Sequence, residues 1–306
     1  MAIALIIQGR DVEALRSGLS DALPGVEIQV WPTLTDLAAI EFVVAWKSPE
    51  NLLSQLPNLK AICSLGAGVD GILALADLPD VPVCRIVEED LTRQMCDYVL
   101  AQILNFQYQF SAYCRQQHNN QWCEREPVAI KSVAILGVGQ IGHQVAMDLY
   151  SRGYQVTGWS NSPKPDRVYS CVFGIEALAE TVANADCVIS LLPATKETDN
   201  LFNRNFFQQM QSHALFINVG RGNSVVEEDL YQALQHGVIQ SACLDVFKTE
   251  PLPQEHPFWG LPNLVITPHI AAVTRQQNII SQIVEHYKKL QSGQTLNYIV
   301  DRDKGY

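Results

Sequence analysis

The sequence predicts an α/β protein with two doubly wound parallel sheets, and three observations support this. Apolar runs of strand length alternate along the chain with segments of helical spacing. Glycine, proline or aspartate follows most of these runs, as is typical of buried parallel strands. A chain of 306 residues is too long for one small core, so we expect two domains.

The first series of elements occupies residues 1 to about 92. Its expected strands are IALIIQG, VEIQVWP, EFVVAW, LKAICSLG and VPVCRI. Thr92 is expected to cap a helix from Arg93 to about Gln117, because apolar residues recur there at helical spacing. The polar segment RQQHNNQWCEREP is then expected to be a connecting loop.

A second series begins at Ser132, and its six expected strands form the second sheet. These strands are SVAILGVG, YQVTGWS, ADCVISLLP, ALFINVG, QSACLDVF and LVITPHI. Helices are expected between them, for example from Gln140 to Arg152 and from Glu227 to His236. A last helix is expected from about Arg275 to Leu290, and the tail LNYIVDRDKGY is expected to pack on the first series.

The composition excludes several classes of protein. Apolar residues make up 47% of the chain and charged residues 17%, and no apolar run approaches the length of a membrane span. The opening MAIALIIQGRD has no basic leader or small-residue cleavage site, so we expect a first strand and a cytoplasmic protein. The net charge of −11 argues against nucleic-acid or membrane partners, because phosphate binding needs dense Lys and Arg.

The eight cysteines have no paired spacing, which favours free thiols over a disulfide framework. Cys114, His118 and Cys123 lie close together in sequence. A structural zinc site would need a fourth ligand and tighter cysteine spacing. We therefore expect no metal site.

Gly137, Gly139 and Gly142 form the pattern G-x-G-x-x-G between an expected strand and an expected helix. In dinucleotide-binding folds the first glycine permits a tight turn, the second admits the pyrophosphate, and the third lets helix and strand pack closely. The N–H groups of Gln140 and Ile141 would face the phosphates at the positive end of the helix. The alternative is a tight turn without a ligand.

The segment VTGWSNSPK lacks the carboxylate that usually binds the ribose 2′-hydroxyl of NAD. Ser160 occupies that position, and Asn161 and Ser162 offer neutral hydrogen-bonding groups. Lys164, with Arg167 as a further candidate, supplies positive charge. Since a carboxylate would repel a 2′-phosphate by about 1 to 4 kcal/mol at a separation of about 4 Å, we predict NADP(H) as the preferred cofactor and NAD(H) as a possible one. The alternative is a solvated polar turn.

Three segments place chemically active side chains just after expected strands. NVGRGNS carries Arg221, LDVFKTEPLP carries Glu250 and LVITPHIAA carries His269. Reduction of a 2-keto acid needs a proton donor, which an imidazole supplies near neutral pH, and a neighbouring carboxylate orients the ring. A guanidinium fork matches the substrate carboxylate. Taken singly, the three remain open to another interpretation, as a surface arginine, a loop glutamate and a core histidine.

The segments LGVGQIG, NVGRG, LDVFKTEPLP and PHIAA together resemble the D-isomer-specific 2-hydroxyacid dehydrogenase family over essentially the whole chain. LGAGVD, WSNSPK, ITPHIAA and DRDKGY are most similar to its glyoxylate/hydroxypyruvate reductase A type. The resemblance implies that Arg221, Glu250 and His269 are catalytic. It also implies two Rossmann-like or flavodoxin-like domains. The dinucleotide-binding domain, 99–271, would be inserted into a substrate domain formed by 1–98 and 272–306.

The resemblance also implies contacts to the cofactor and the substrate. Asp245 matches the position that holds the nicotinamide carboxamide, and Leu192 and Pro193 would line the cofactor cleft. In SLGAGVD, the N–H groups of Ala67 and Gly68 would hold the substrate carboxylate.

Trp46 ends an expected strand and is a candidate cover for a small substrate, with core packing as the alternative. Lys47 stands where related reductases often have a histidine, which leaves the substrate preference open. We expect an NADPH-preferring reductase of glyoxylate and hydroxypyruvate, and the resemblance implies that it is a homodimer. The alternatives are another 2-keto acid, such as phenylpyruvate or pyruvate, and a non-catalytic nucleotide-sensing protein.

Overall fold

The computed structural model describes residues 2–66, 68–87, 89–273 and 276–302, except for the side chain of Glu89. The chain divides into two compact units, Met1–Glu89 with Thr274–Tyr306, and Asp90–Val273. The assignment of residues 1–98 with 272–306 to substrate binding and of 99–271 to dinucleotide binding stays a prediction.

The secondary structure alternates between strands and helices through both units. The strands are β1 (Ala2–Ile7), β2 (Glu27–Val30), β3 (Ile40–Trp46), β4 (Ala61–Ser64), β5 (Val83–Cys84), β6 (Ser132–Leu136), β7 (Gln155–Ser160), β8 (Ser170–Phe173), β9 (Cys187–Ser190), β10 (Leu215–Asn218), β11 (Ser241–Leu244) and β12 (Leu264–Ile266). The helices are α1 (Glu13–Ala22), α2 (Asp70–Leu73), α3 (Glu89–Gln107), α4 (Phe110–His118), α5 (Gln140–Ser151), α6 (Leu178–Ala183), α7 (Arg204–Gln209), α8 (Glu227–Gln235) and α9 (Gln276–Gln291).

The first unit is built on a parallel sheet that has five strands within the described residues, in the order β2-β1-β3-β4-β5. All five expected strands are confirmed. The interior strand β1 is buried along its whole length, as expected for a strand covered on both faces. The C-terminal segment returns to this unit, where Ile299 bridges Cys84 in antiparallel fashion and Val300 donates to the carbonyl of Val83 at 2.8 Å. The predicted helix start at Arg275 lies outside the described residues.

The second unit contains a parallel sheet of seven strands, counted over the described residues, in the order β12-β11-β10-β9-β6-β7-β8. Phe216 of β10 packs in one apolar cluster, and Leu215 and Ile217 pack in another. The sheet is therefore covered on both faces, and the doubly wound fold is confirmed. The prediction of six strands was wrong, because β8 is a short edge strand whose residues are half-buried or exposed and form no buried apolar run.

The predicted helix from Arg93 to Gln117 is two helices, α3 and α4. Gln109 between them has a left-handed backbone (φ +55°), which ends the first helix. The side chain of Asn105 accepts hydrogen bonds from the N–H and the hydroxyl of Ser111, both at 3.1 Å, and so satisfies donors at the break. Thr92 is not a cap, because α3 already includes Glu89. None of the described helices has the length and apolar character needed to cross a bilayer.

Asp186 ties together the N-terminal ends of β6 and β9. One carboxylate oxygen accepts from the N–H groups of Lys131 and Ser132 at 2.8 and 2.9 Å and from the Ser132 hydroxyl at 2.9 Å. The other lies 2.8 Å from Nε2 of His213. Burial opposes the charge, but these hydrogen bonds outweigh burial and lower the pKa of Asp186 to about 2.

We expect Asp186→Asn to lower the free energy of unfolding at pH 7 by about 1 to 2 kcal/mol, because the carboxylate is more stable folded than unfolded. The wild-type contribution should be complete above the unfolded pKa of about 4 and lost as the pH falls towards about 2. Urea denaturation at several pH values measures both effects. Glu176→Gln, at an exposed site, is the control. Equal acid sensitivity in wild type and D186N would contradict the assignment.

Candidate active site

The glycine turn in the second unit joins β6 to α5. Gly137 has φ +99°, a left-handed conformation that glycine adopts readily. A Cβ on Gly142 would lie 1.9 Å from the carbonyl oxygen of Gly137, so the helix approaches the turn more closely than any side chain allows. A Cβ on Gly139 would meet nothing within 4 Å. Because the first N–H groups of a helix have no intrahelical acceptor, Gln140 and Ile141 offer donors beside this open backbone.

The turn after β7 combines neutral hydrogen-bonding side chains with positively charged ones. Ser160 is buried, and its hydroxyl donates to the carbonyl of Ser162 at 2.7 Å, while Asn161 and Ser162 are exposed. Burial raises the pKa of the Cys171 thiol on β8, whereas the positive charges of nearby Arg167 and Lys164 act to lower it. These cations therefore lie at the β7–β8 edge.

Arg167 also carries an unsatisfied donor at this edge. Its Nε is buried and has no hydrogen-bond partner in the part of the chain that the structure describes. A buried donor left unpaired costs about 1 to 3 kcal/mol. A phosphate group is an acceptor that satisfies guanidinium donors, so this donor set fits a nucleotide carrying a 2′-phosphate.

The loops after β9 and β10 pack directly on each other. A Cβ on Gly220 would lie 2.6 Å from the carbonyl oxygen of Leu192, so only glycine permits this approach. Leu192 is buried, and the next carbonyl, that of Pro193, accepts from the Thr198 hydroxyl at 2.6 Å. The turn at Leu192 and Pro193 is thus fixed against the loop that carries Arg221.

The loop around Arg221 is shaped by Asn218, which is fully buried at the end of β10. The Asn218 amide donates to the Arg221 carbonyl at 3.0 Å and accepts from the Gly220 N–H at 3.1 Å. The Ser224 hydroxyl donates to the same carbonyl at 2.6 Å, and the Arg221 guanidinium donates to the Gly220 carbonyl at 2.9 Å. Asn218 is not among the residues predicted from the sequence, although an asparagine two residues before glycine is a typical turn signal.

His269 and Glu250 form a direct pair. Nδ1 of His269 lies 2.9 Å from Oε2 of Glu250, and Oε1 accepts from the Phe247 N–H at 3.1 Å. With Nδ1 held by the carboxylate, Nε2 is the nitrogen that can face a substrate. A Cβ on Gly222 would lie 2.0 Å from the Phe247 carbonyl carbon, so the loop that carries Arg221 packs on the segment that holds Glu250. The structure thus brings the imidazole and the carboxylate into contact and places the Arg221 loop beside them.

Asp245, which is buried at the end of β11, organises the loop that carries His269. Its Oδ1 accepts from the Thr267 hydroxyl at 2.5 Å and from the Ile270 N–H at 2.8 Å, and its Oδ2 accepts from the Ala271 N–H at 2.9 Å. Its own carbonyl accepts from the His269 N–H at 2.9 Å. These bonds use three of the roughly four acceptor sites of a carboxylate. The predicted contact to a nicotinamide carboxamide stays a prediction.

Tyr98 on α3 supports the same loop. Its hydroxyl lies 2.6 Å from the Thr267 hydroxyl and 3.3 Å from the Cys243 sulfur. Burial raises the pKa of Tyr98, which keeps it a neutral hydrogen-bonding group. No local pattern in the sequence links Tyr98 to Thr267, because 169 residues separate them.

Trp46 and Gly68, which are predicted to contact the substrate, belong to the first unit. Trp46 ends β3, the Arg10 guanidinium lies 4.4 Å over its ring, and a Cβ on Gly66 would lie 3.5 Å from it. Gly68 lies just before α2, and Ala67 lies outside the described residues. Their roles stay predictions.

Known proteins are similar to this chain both in sequence and in structure. The model of the D-isomer specific 2-hydroxyacid dehydrogenase NAD binding domain matches residues 100–271. The glyoxylate/hydroxypyruvate reductase A of Serratia proteamaculans is 37% identical over 304 residues, covering 97% of each chain. A 2-hydroxyacid dehydrogenase of Xanthobacter autotrophicus, solved with NADPH, is similar at a TM-score of 0.91 and 34% identity over 100% of this chain and 99% of that one. An NADPH-dependent glyoxylate/hydroxypyruvate reductase of Sinorhizobium meliloti, solved with NADP, gives 0.92 and 33% over the same shares.

Asp245→Asn is expected to loosen the loop, because an amide oxygen and an NH₂ group replace two charged acceptor oxygens. Hydrogen exchange at the amides of Ile270 and Ala271 should become about 10- to 100-fold faster, since hydrogen bonds to charged groups contribute about 1.5 to 3 kcal/mol. Exchange measured by mass spectrometry or NMR reports this change. The exposed Asp199→Asn is the matched control. Unchanged protection at both amides in D245N would contradict the role of Asp245.

Proposed function

This chain belongs to the D-isomer specific 2-hydroxyacid dehydrogenase family, and on that basis we propose that it reduces glyoxylate, hydroxypyruvate and related small 2-keto acids with NADPH. The His269–Glu250 pair is the observation that carries the proposal, because its geometry is that of an oriented proton donor. Similarity to proteins named glyoxylate/hydroxypyruvate reductase A supports this substrate class.

In the proposed reaction the reduced nicotinamide supplies the hydride when bound. His269 gives the proton on Nε2 to the carbonyl oxygen as that oxygen gains negative charge. Glu250 holds Nδ1, which keeps the ring in orientation and stabilises its protonated form. The Arg221 guanidinium binds the substrate carboxylate and polarises the keto group. The imidazole then regains a proton from solvent.

The cofactor preference follows from the turn after β7. Ser160 stands where a carboxylate would select the 2′-hydroxyl of NAD, and its own hydroxyl is bonded within the turn. Arg167 and Lys164 supply the charge beside it. The structures similar to this chain that were solved with NADPH or NADP support NADP(H) over NAD(H).

The enzyme is further proposed to be a homodimer in the cytoplasm. Tyr108 and Phe110 stack with ring centroids 5.9 Å apart although both are more than half exposed, and Trp122 is 99% exposed. Exposed aromatic groups of this kind favour an interface with another protein surface. All eight cysteines are free thiols, which suits a reducing compartment.

Wild-type protein is expected to oxidise NADPH with glyoxylate and hydroxypyruvate, whereas His269→Ala should lower kcat by at least about 10²-fold because the proton donor is gone. Absorbance of NADPH with a panel that adds pyruvate and phenylpyruvate measures turnover. NADPH binding, followed by fluorescence, should be nearly unchanged in H269A. His236→Ala, at an exposed position on the same unit, is the control.

Two outcomes would overturn these assignments. A wild-type protein that binds NADPH but turns over none of the four keto acids would be a binding protein. A near-normal kcat in H269A would move the role of proton donor to another group.

Arg167→Ala is expected to lower kcat/KM for NADPH by about 10- to 100-fold, because charge-assisted hydrogen bonds to the 2′-phosphate contribute about 1.5 to 3 kcal/mol. The value for NADH should stay within about threefold. Arg204→Ala, which removes an exposed arginine from the same unit, should affect neither cofactor. Equal losses for both cofactors in R167A, or equal wild-type kcat/KM values, would contradict the preference.

A further inference from the structure

A buried cluster of two thiols and one imidazole lies within the first unit. Cys63 on β4 and Cys84 on β5 are register partners in adjacent parallel strands, so both project from the same face of the sheet. Both belong to the apolar cluster that contains Ile283 and Tyr287 of α9. His286 of the same helix completes the group, and the three ligand atoms all lie within 4.8 Å of one another.

The cluster consists of polar groups in apolar surroundings, and one nitrogen of its imidazole lacks a hydrogen-bond partner among the described residues. His286 is 1% exposed, and its Nδ1 has no hydrogen-bond partner among the residues that the structure describes. A buried polar atom without a partner costs about 1 to 3 kcal/mol. Each thiol has one weak contact to a carbonyl, at 3.5 Å. The proposed reductase chemistry uses none of the three side chains.

The two sulfur atoms are suitable metal ligands once their protons are lost. A thiolate is the form of cysteine that binds metal, so a bound divalent ion would displace the protons of both thiols.

We propose that Cys63, Cys84 and His286 form a buried site for a thiophilic divalent metal ion, with Zn²⁺ as the occupant. Two thiolates and a neutral imidazole balance the charge of Zn²⁺, so the filled site carries no net charge into the apolar core. Binding exchanges two thiol protons, released to solvent, for one metal ion. No oxidation or reduction is involved.

The geometry suits such an ion. Zinc bonds of about 2.3 Å to sulfur and about 2.0 Å to nitrogen place tetrahedral ligand atoms about 3.3 to 3.8 Å apart. The three ligand atoms now lie within 4.8 Å of one another, and side-chain shifts of about 1 Å would bring their separations into that range. The fourth ligand of the tetrahedron would be a backbone carbonyl oxygen, and the Ile62 carbonyl oxygen lies 3.5 Å from the Cys84 sulfur. The filled site would link β4, β5 and α9, and its role would be structural because all three ligands are buried.

The sequence predicts no metal site, because the local spacing of Cys114, His118 and Cys123 does not suit one. Cys114 and Cys123 are exposed in the structure. The three residues of the buried cluster lie far apart along the chain, and strand register and α9 bring them together. The signal for this site is therefore absent from any short stretch of sequence.

The test uses the full chain, purified with a thiol-free reductant and stripped of metal. Titration with Cd²⁺ should produce a thiolate-to-cadmium charge-transfer band that saturates at about one equivalent, and Zn²⁺ should displace it. Zn²⁺ should also raise the melting temperature of the wild-type protein. Cys84→Ser should abolish the band and weaken zinc binding by at least about 100-fold, because it removes one of three ligands.

Two controls make the result specific. Cys187→Ser removes a fully buried thiol of the second unit and should keep the band and its stoichiometry. Cys123→Ser removes an exposed thiol and should do the same. If Cys84→Ser does not fold by circular dichroism, His286→Gln takes its place. It keeps both sulfur ligands and therefore the band, but it should weaken zinc binding by at least about 100-fold.

The wild-type titration alone is enough to overturn the proposal, since absence of the band at saturating Cd²⁺ would exclude the site. A full-strength band in a folded C84S, an unchanged zinc affinity in H286Q, or a band lost equally in C187S or C123S would assign the metal to other groups. These readouts do not depend on catalysis. The proposed reductase function and the metal site can therefore fail independently.

Discussion

The buried carboxylate of Asp245 determines the course of the chain from Thr267 to Ala271, and the candidate active site depends on it. Burying a charge is unfavourable unless donors surround it, and here a hydroxyl and two backbone N–H groups do so. Because these donors converge on one group, the backbone turns left-handed at His269 (φ +55°) and the imidazole meets Glu250. The strain of that conformation is offset by the hydrogen bonds that the Asp245 carboxylate accepts.

The parts of the molecule that the sequence predicts well are those in which one local rule applies. Apolar runs followed by glycine or aspartate identify the buried strands, and a glycine pattern between strand and helix identifies the turn at Gly137. Arg221, Glu250 and His269 are predictable as a group because each follows a strand, and neighbouring parallel strands present their carboxyl ends at one edge. The register of β10, β11 and β12 then brings distant segments of chain together.

The parts that the sequence does not predict depend on competition or on long-range contact. The residues of the edge strand β8 are half-buried or exposed, so they form no buried run or alternation of apolar residues that would predict a strand. The break between α3 and α4 arises because the Asn105 side chain competes for donors that a continuous helix would use. The contact of Tyr98 with Thr267, and the grouping of Cys63 with His286, exist only after the sheets have formed.

The second and third glycines of the turn, Gly139 and Gly142, differ in the space around them, and this difference is useful for interpreting natural or engineered variants. At Gly142 a methyl group would lie 1.9 Å from a carbonyl oxygen, so a substitution there must displace the backbone. Loss of function in such a variant reflects that displacement. At Gly139 a methyl group would enter empty space. A chain that folds normally with alanine at that position but fails to bind nucleotide would have lost its ligand through occlusion and not through misfolding. Substitutions at Gly139 and Gly142 therefore distinguish damage to the fold from damage to the nucleotide-binding site.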